Sequence, residues 1–339
     1  MSSDDELSSH DTANISKIRQ DVENQARVIM SDVVEDFSNI EGVLSRMQAW
    51  KSTHGIAYKE AYASLCLHKM IGPLVTLQLL FWNPLEDHCN NIEDMDWFSK
   101  VAVYAAKIDS IEENDKDHMF LPLVIEKVVL VKIIGIVQAA YDPLSTCQSL
   151  RLSQLLHRLR NTYPTLTGSS KQVRELLTLI RDKFKNAIES DVYIPLGYSK
   201  QCLDNPASAH ALFLSRQFWS AFKLFKNVLL WSGLLSDQII VDLALSSLLY
   251  RYLMIGLGVT PNPVECVGRT RAIVNALPSE WKKARTCKGD LERFAKYLCQ
   301  LGATVNLPRE SVKDLVSQLK CIGAWSEADQ LEKKILHNL

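Results

Sequence analysis

The sequence predicts an all-α protein, an elongated multi-helix array of antiparallel helical hairpins with HEAT-like or bundle-like packing. Glycine and proline are sparse, at 13 and 11 of 339 residues, which disfavours an all-β fold with many tight turns. Apolar residues recur at intervals of three and four along much of the chain, as in amphipathic helices. Two long apolar segments end at related aromatic-Asn/Asp-Pro-Leu sequences, which indicates two related helical units.

The composition is that of a folded protein with a sizeable core. Hydrophobic residues make up 47% and charged residues 23% of the chain. A length of 339 residues exceeds the usual single core, so two subdomains or one extended array are expected. Lys and Arg number 38 against 39 Asp and Glu, so the net charge of -1 gives no global basic excess for nucleic-acid binding. Local basic patches are still compatible with this balance.

Cysteine usage and the N-terminal sequence predict a reducing compartment. The eight cysteines are widely spaced and form no CxxC pair, so no metal site is expected. The first residues, MSSDDELSSHD, lack the build of a secretory signal. We therefore expect reduced thiols and a cytosolic or nuclear protein.

The N-terminal fifty residues divide by composition. Residues 1–13 carry Ser, Asp and Glu with little to bury, which predicts a disordered acidic tail that is solvated or phosphorylated. Residues 14–50 follow a helical apolar pattern and are predicted to form an amphipathic helix. Residues 51–339 are assigned to one large helical domain.

A long apolar helix is predicted within Ala61–Glu86, with Leu67, Met70 and Phe81 on its buried face. Pro73 should kink or split this helix, and Pro84 should end it. Trp82, at the end of the segment, either marks a binding groove or belongs to the core, and the core interpretation is favoured.

The second apolar segment, 120–140, is rich in Val and Ile, so a buried strand competes with a helix. Its length favours the helix. It ends at Tyr141-Asp-Pro-Leu, which lies 59 residues after Trp82-Asn-Pro-Leu and resembles it. This segment and 239–259 both contain charged residues, so buried helices rather than membrane spans are expected.

A loop-like stretch over 193–209, with two prolines and a glycine, predicts a soft subdomain boundary. The helix after it places Phe218, Phe222 and Phe225 on one face, which we interpret as core. Trp219, Lys223 and Lys226 fall on another face. Trp219 beside two lysines either receives a partner peptide or stacks a base, or it simply packs in the core, and packing is favoured.

A basic cluster surrounds Trp281, with Arg269 and Arg271 upstream. An aromatic residue among cations is compatible with RNA backbone contact, and a solvated helix end is the favoured alternative. The cluster consists of Lys282, Lys283, Arg285 and Lys288.

No motif for catalysis or cofactor binding occurs in the chain. Gly256-Leu-Gly258 lacks the preceding strand and the remaining glycines of a dinucleotide loop, and no nucleophile elbow or zinc-protease motif is present. We therefore predict no catalytic, cofactor-binding or metal-binding residues, and a binding scaffold rather than an enzyme.

Several segments, in this order along the chain, resemble the GC-rich sequence DNA-binding factor family. The similarity extends from about Ser31 to the C-terminus. The segments are FSNIEGVLSRMQAW (37–50), YKEAYASLCL (58–67), LQLLFWNPL (77–85), DVYIP (191–195) and RQFWS (216–220).

The resemblance implies a nuclear, helical, non-enzymatic protein of pre-mRNA splicing that works late, at the lariat-intron complex. The partners it implies are a G-patch protein of the tuftelin-interacting family, a DEAH-box helicase and other late spliceosome components. A second branch of the family resembles an adaptor between paired-box transcription factors and histone methylation machinery. A DNA-binding transcriptional regulator or such an adaptor is therefore the alternative function.

Two departures from the family pattern affect these expectations. Val131-Lys132 stands where the family pattern has Pro-Lys, so a straighter second helix is expected. A long charged region usually precedes this domain in the family, whereas here the acidic tail precedes it. The net charge of -1 and the lack of a DNA-reading motif argue against DNA binding.

Overall fold

The protein is all-α, in agreement with the sequence-based expectation. Within the part of the chain that the structure describes, every regular element is a helix and no strand occurs. The computed structural model describes residues 8–106, 119–198, 200–203, 205–282, 289–303 and 307–337. Two compact units result: Met1–Ile136 with Tyr163–Val173, and Val137–Thr162 with Arg174–Leu339.

The first unit contains the N-terminal helices and most of the second apolar segment. A π-helical stretch, Ile125–Val129, connects α7 to α8, and the division between the units falls within α8. The helices are α1 (Ser9–Val28), α2 (Glu35–Ser38), α3 (Ile40–Thr53), α4 (Gly55–Glu60), α5 (Ala63–Gln78), α6 (Asp96–Ala106), α7 (Phe120–Val124) and α8 (Leu130–Ala140).

The second unit contains the remaining helices. A π-helical stretch, Val241–Leu253, connects α13 to α14 as one long helix. The helices are α9 (Thr146–Thr162), α10 (Lys171–Ser190), α11 (Lys200–Leu203), α12 (Ala209–Leu229), α13 (Asp237–Ile240), α14 (Met254–Gly258), α15 (Pro263–Ala276), α16 (Ser279–Lys282), α17 (Glu292–Gly302), α18 (Arg309–Cys321) and α19 (Trp325–His337).

The N-terminal region forms three helices where the sequence predicts one helix over 14–50. Asn39 has an extended backbone, and its side chain accepts a hydrogen bond of 2.7 Å from the Gly42 amide, so it caps a new helix there. Of the predicted tail, residues 1–7 lie outside the described residues. Ser8 caps α1, which therefore begins inside the segment expected to be disordered.

Helix α5 runs without interruption through Pro73, so the predicted split does not occur. Its buried face is also rotated from the expected one. Leu67, Ile71 and Val75 are completely buried, whereas Met70 is exposed. These buried positions are four residues apart, and a helical pattern alone does not fix which flank of a broad apolar surface meets a neighbour.

The two aromatic-Asn/Asp-Pro-Leu turns share one hydrogen-bond pattern. In the first, the Leu85 amide donates to Asn83 Oδ1 over 3.1 Å. In the second, the Leu144 amide donates to Asp142 Oδ1 over 2.9 Å. Each is a side-chain turn in which Asn or Asp replaces a backbone acceptor two residues earlier. The similarity seen in the sequence therefore corresponds to the same local structure.

The aromatic residue that precedes each turn is buried. Trp82 is 6% exposed, and its indole N–H donates to the Asn90 carbonyl over 3.0 Å. The hydroxyls of Tyr141 and Ser149 lie 2.8 Å apart. Burial raises the pKa of Tyr141 far above its usual range, and the hydrogen bond with Ser149 only partly opposes this. Each aromatic residue thus anchors its turn to the core.

An aromatic triad joins the second turn to two helices of the second unit. The rings of Tyr141, Phe184 and Trp231 meet edge to face, with centroids 6.2 to 6.4 Å apart. Phe184 belongs to α10 and Trp231 follows α12. Beside them, the buried Asn227 donates through Nδ2 to the Pro143 carbonyl over 2.8 Å. The turn is therefore held by side chains from helices distant in sequence.

The long helix over Asp237–Gly258 packs against α12 and forms a central part of the second unit. By length and composition it is apolar enough to cross a membrane, but half of its most apolar window is buried inside the protein. Its charged residues, Asp237, Asp242 and Arg251, are all exposed. This distribution is that of a core helix with one solvated face.

The last three helices pack against one another in sequence order. Gly323, with a φ of 76°, follows the C-cap of α18 and lets the chain turn directly into α19. The boundary that the sequence predicts near 193–209 lies inside the second unit, whereas the compact units divide at 136/137, 162/163 and 173/174.

We predict that Asn227→Ala lowers the free energy of unfolding by about 1–3 kcal/mol, because the buried Pro143 carbonyl loses its donor. Chemical denaturation of the full chain measures this. Asn186→Ala, at an exposed position of α10, is the matched control and should change stability by less than about 0.5 kcal/mol. Equal effects of the two substitutions would contradict a structural role for this hydrogen bond.

We predict that Gly256→Ala is destabilising by about 1–3 kcal/mol, because a Cβ there would lie 2.9 Å from Cδ2 of the buried Phe218. Gly258→Ala is the control. A Cβ at Gly258 meets nothing within 4 Å, so that change should be neutral or stabilise by up to about 1 kcal/mol. Thermal unfolding of both variants tests this, and a stable Gly256→Ala variant would show that Phe218 can shift.

Candidate docking site

Helix α12 presents a buried face and an exposed face of different chemistry. Phe218, Ala221, Leu224 and Phe225 are completely buried, which confirms the predicted phenylalanine core at two of its three positions. Phe222 is only partly buried. The opposite side carries exposed residues at intervals of four, three, four and three. We call these the α12 stripe: Leu212, Arg216, Trp219, Lys223 and Lys226.

Trp219 is the aromatic centre of the α12 stripe. Its side chain is 44% exposed, which overturns the favoured interpretation that it packs in the core. Each residue of a helix is rotated by about 100° from the one before, so Trp219 turns outward where Phe218 turns inward. Its ring meets those of Phe218 and Phe222 edge to face, at 5.4 Å in both cases. The indole is therefore supported by the core yet open to a partner.

Three cations accompany Trp219 on the stripe. Arg216, Lys223 and Lys226 are exposed, and none of them forms an ion pair with any residue that the structure describes. Charges without an internal partner are available to a ligand, and an aromatic side chain between them adds apolar contact area. The arrangement can bind an acidic surface.

A groove lies at the C-terminal end of the α12 stripe. Its volume is about 440 Å³, and Lys226 forms part of its wall. Acidic residues Asp237 and Glu280 also line it, as does Trp281. The structure thus brings Lys226 close to the segment before the predicted basic cluster.

A second groove, of about 320 Å³, lies at the N-terminal end, where Leu212 forms part of the wall together with Glu265 and Arg269. Arg269 is 4% exposed. Its guanidinium stacks over the Phe218 ring at 4.5 Å and pairs with Glu265 at 2.6 Å. Arg271 pairs with Asp314 at 2.7 Å. Both arginines therefore have structural partners within the protein.

The other predicted contact residues fall in different environments. Trp82 is part of the core, so we remove it from the candidate set. Lys282 is half-buried and donates to the Asn275 carbonyl over 3.0 Å. Lys283, Arg285 and Lys288 lie outside the described residues. Of the predicted set, the structure places Trp219, Lys223 and Lys226 together on one surface.

Leu212 and Arg216 belong to the same surface but were not predicted as contacts. Their positions follow from the spacing of 212, 216, 219, 223 and 226, which repeats every 3.5 residues on average. The interpretation of Trp219 as a core residue hides this pattern. The signal that could have identified the surface is the position of Leu212 and Arg216 at the same three- and four-residue intervals as Trp219, Lys223 and Lys226.

The first unit has a groove of its own, of about 540 Å³, lined mainly by α3 and α6. Its wall contains Glu41, Leu44, Gln48 and Lys100, without an exposed aromatic side chain among cations. Among the described residues, no cluster of His, Cys, Asp and Glu is arranged to hold a metal ion. The α12 stripe is therefore the better candidate for a functional surface.

The chain is similar to proteins that are named for an intron complex, for PAX3 and PAX7 binding and for transcriptional repression. It is 34% identical over 342 residues to the mouse protein named Intron Large complex component GCFC2, covering 98% of this chain and 44% of that protein. It is 32% identical over 345 residues to human PAX3- and PAX7-binding protein 1, covering 97% and 37%. It is 28% identical over 245 residues to Transcriptional repressor ILP1 of Arabidopsis thaliana, covering 70% and 26%.

The chain spans less than half the length of each of these relatives. A family model described as GC-rich sequence DNA-binding factor-like protein matches residues 40–255, well over half of the chain, and this range includes all of α12. With its all-α structure and this match, the chain belongs to the GC-rich sequence DNA-binding factor-like protein family.

Proposed function

We propose that this chain is a non-enzymatic nuclear scaffold that docks protein partners in pre-mRNA splicing, at the late lariat-intron stage. The mouse relative named as an intron large complex component supports this proposal, since the similarity covers nearly the whole chain. The family resemblance implies the partners, a G-patch protein of the tuftelin-interacting family and a DEAH-box helicase. The α12 stripe is the proposed docking surface.

The observation that carries the proposal is the exposure of Trp219 among cations that form no ion pair with any described residue. Isolated exposed tryptophans occur on many proteins, but here the ring is fixed in place by contacts with Phe218 and Phe222. A rigid aromatic side chain loses little conformational entropy on binding, which is why tryptophan is common among hot-spot residues. The stripe is thus preorganised for a partner.

The environment of three of the cysteines argues against a reactive thiol at those positions. The pKa of the buried Cys266 thiol is raised by burial, which the hydrogen bond with Tyr297 only partly opposes. Burial also raises the pKa of Cys89 and Cys299. A nucleophilic thiol needs a lowered pKa, so these cysteines are suited to packing rather than to covalent chemistry.

A second candidate function is an adaptor or repressor in transcription. The human relative named for PAX3 and PAX7 binding and the plant relative named as a transcriptional repressor favour it. Direct DNA binding would need a larger basic surface than the α12 stripe offers, given a net charge of -1. In this alternative the stripe binds a protein rather than DNA.

Affinity purification of the tagged chain from nuclear extract tests the proposed function. Bound proteins are identified by mass spectrometry and bound RNA by sequencing. Lariat introns together with a G-patch protein and a DEAH-box helicase are the expected result. Transcription or chromatin factors without spliceosomal components would contradict the splicing role and favour the adaptor.

We predict that Trp219→Ala weakens partner binding by about 2 kcal/mol or more, because it removes a hot-spot side chain. The free energy of unfolding should fall by only about 1 kcal/mol, well below the loss expected for a buried tryptophan, since 44% of the side chain is exposed. Pull-down from nuclear extract and thermal unfolding measure the two effects.

Trp325→Ala is the matched control for this prediction, because Trp325 is similarly exposed, at 50%, and belongs to a different helix, α19. It should leave both stability and partner binding unchanged. A Trp219→Ala variant that unfolds early, or one that retains all partners, would contradict the assignment of Trp219 as a contact residue.

A further inference from the structure

We infer that the α12 stripe binds an acidic amphipathic helix of a protein partner. The partner helix would place apolar side chains against Leu212 and Trp219, and carboxylates against Arg216, Lys223 and Lys226. This inference rests on the proposed function only in assuming that α12 is the docking surface. It concerns the chemistry of the partner and not the process in which the partner acts.

The spacing of the stripe favours a helical partner. Intervals of four, three, four and three place five side chains along one seam of α12. This is the spacing with which a helix meets another helix through side chains interlocked along their length. From Leu212 to Lys226 the seam extends about 21 Å, or about four helical turns of a partner.

The alternation of residue types along the seam predicts the partner's pattern. Leu212 and Trp219 are one heptad apart, and so are Arg216 and Lys223. From Leu212 to Lys223, apolar and basic side chains occupy alternate positions of the seam, and Lys226, one heptad after Trp219, adds a second consecutive cation at its end. A complementary helix has apolar residues seven apart, Asp or Glu between them, and a further acidic residue at the end that meets Lys226.

Charges at the C-terminal end of the seam favour a protein over RNA. Asp237 and Glu280 line the groove beside Lys226, whereas Glu265, beside Leu212 at the other end, is paired with Arg269. A phosphodiester backbone that continued past Lys226 would meet the two carboxylates and be repelled. A partner helix can carry acidic residues opposite the cations of the stripe and neutral or basic residues opposite Asp237 and Glu280. Its charges can therefore be complementary to both.

The number of cations on the α12 stripe also favours a protein partner over RNA. Three unpaired cations would neutralise about three phosphates, which gives RNA a weak and strongly salt-dependent site. An apolar contact at Trp219 and Leu212 is largely independent of salt. Binding that combines both terms, with a moderate salt dependence, is therefore expected for the acidic helix.

Zero-length carbodiimide crosslinking tests this inference directly, because the reagent joins a lysine amine only to a carboxylate in contact with it. The full chain is tagged, its complexes are captured from nuclear extract, and the crosslinked peptides are identified by mass spectrometry. We expect Lys223 and Lys226 to be joined to Asp or Glu of one partner segment. That segment should carry the apolar and acidic heptad pattern described above.

The crosslinked segment is then synthesised as a peptide, and its affinity for the full chain is measured by fluorescence anisotropy. Trp219→Ala should weaken binding about 30-fold, as for a hot-spot residue. Combined Arg216→Glu and Lys223→Glu should weaken it roughly tenfold, and a peptide with Lys at the matching acidic positions should restore it. Combined Lys296→Glu and Lys313→Glu, at exposed positions of α17 and α18, is the control and should have no effect.

Four results would overturn the inference: crosslinks to a segment without the acidic heptad pattern, no crosslink from either lysine, binding that the charge exchange does not restore, or competition by a single-stranded uridine RNA at equal concentration. These results are distinct from failure of the proposed function. If the segment has the predicted pattern but belongs to a transcription factor, the acidic-helix inference holds and the splicing role fails. If spliceosomal partners are captured but do not contact the stripe, the splicing role holds and the acidic-helix inference fails.

Discussion

The second unit depends on the edge-to-face contacts among Tyr141, Phe184 and Trp231. These rings come from the turn after α8, from α10 and from the residue that follows the C-cap of α12. Aromatic pairs in this geometry contribute about 0.5–1.5 kcal/mol each beyond their burial, and together they fix the rotation of the elements that carry them. The hydrogen bond from Asn227 to the Pro143 carbonyl further restricts the orientation of α12, since it forms only when the Asn227 side of this helix faces the turn.

The orientation of α12 determines what the protein presents to solvent. With Phe218 and Phe225 buried and Asn227 bonded to the turn, the side of the helix that carries Trp219 has to face outward. Arg269 reinforces this orientation, because its guanidinium covers the Phe218 ring and is neutralised by Glu265. The exposed stripe is therefore a consequence of how the core is packed. A partner would meet a rigid surface that needs little rearrangement.

Much of the fold can be predicted from the sequence, because long periodic apolar segments and turn residues determine the structure of the segment in which they lie. The helix over 120–140, the two Asn/Asp turns and the glycine after α18 are of this kind. The break before Asn39 is less evident, because its side-chain cap competes with a continuous helical pattern on either side.

The α12 stripe is only partly predictable from the sequence. Helical periodicity places Trp219, Lys223 and Lys226 near one another, but it does not say which face of an apolar helix meets the rest of the protein. Trp219 was assigned to the core for this reason. The partners of Arg269 are likewise set by the packing of α12 on α15, which no local pattern contains.

Hydroxyl-radical footprinting with mass spectrometry tests the central claim most directly, because three tryptophans differ in their expected exposure. In the free chain, Trp219 and Trp325 should be oxidised readily, whereas the fully buried Trp231 should not. In complexes captured from nuclear extract, Trp219 should become protected and Trp325 should remain reactive. Continued oxidation of Trp219 in these complexes, with new protection elsewhere, would contradict the assignment of the α12 stripe as the docking surface.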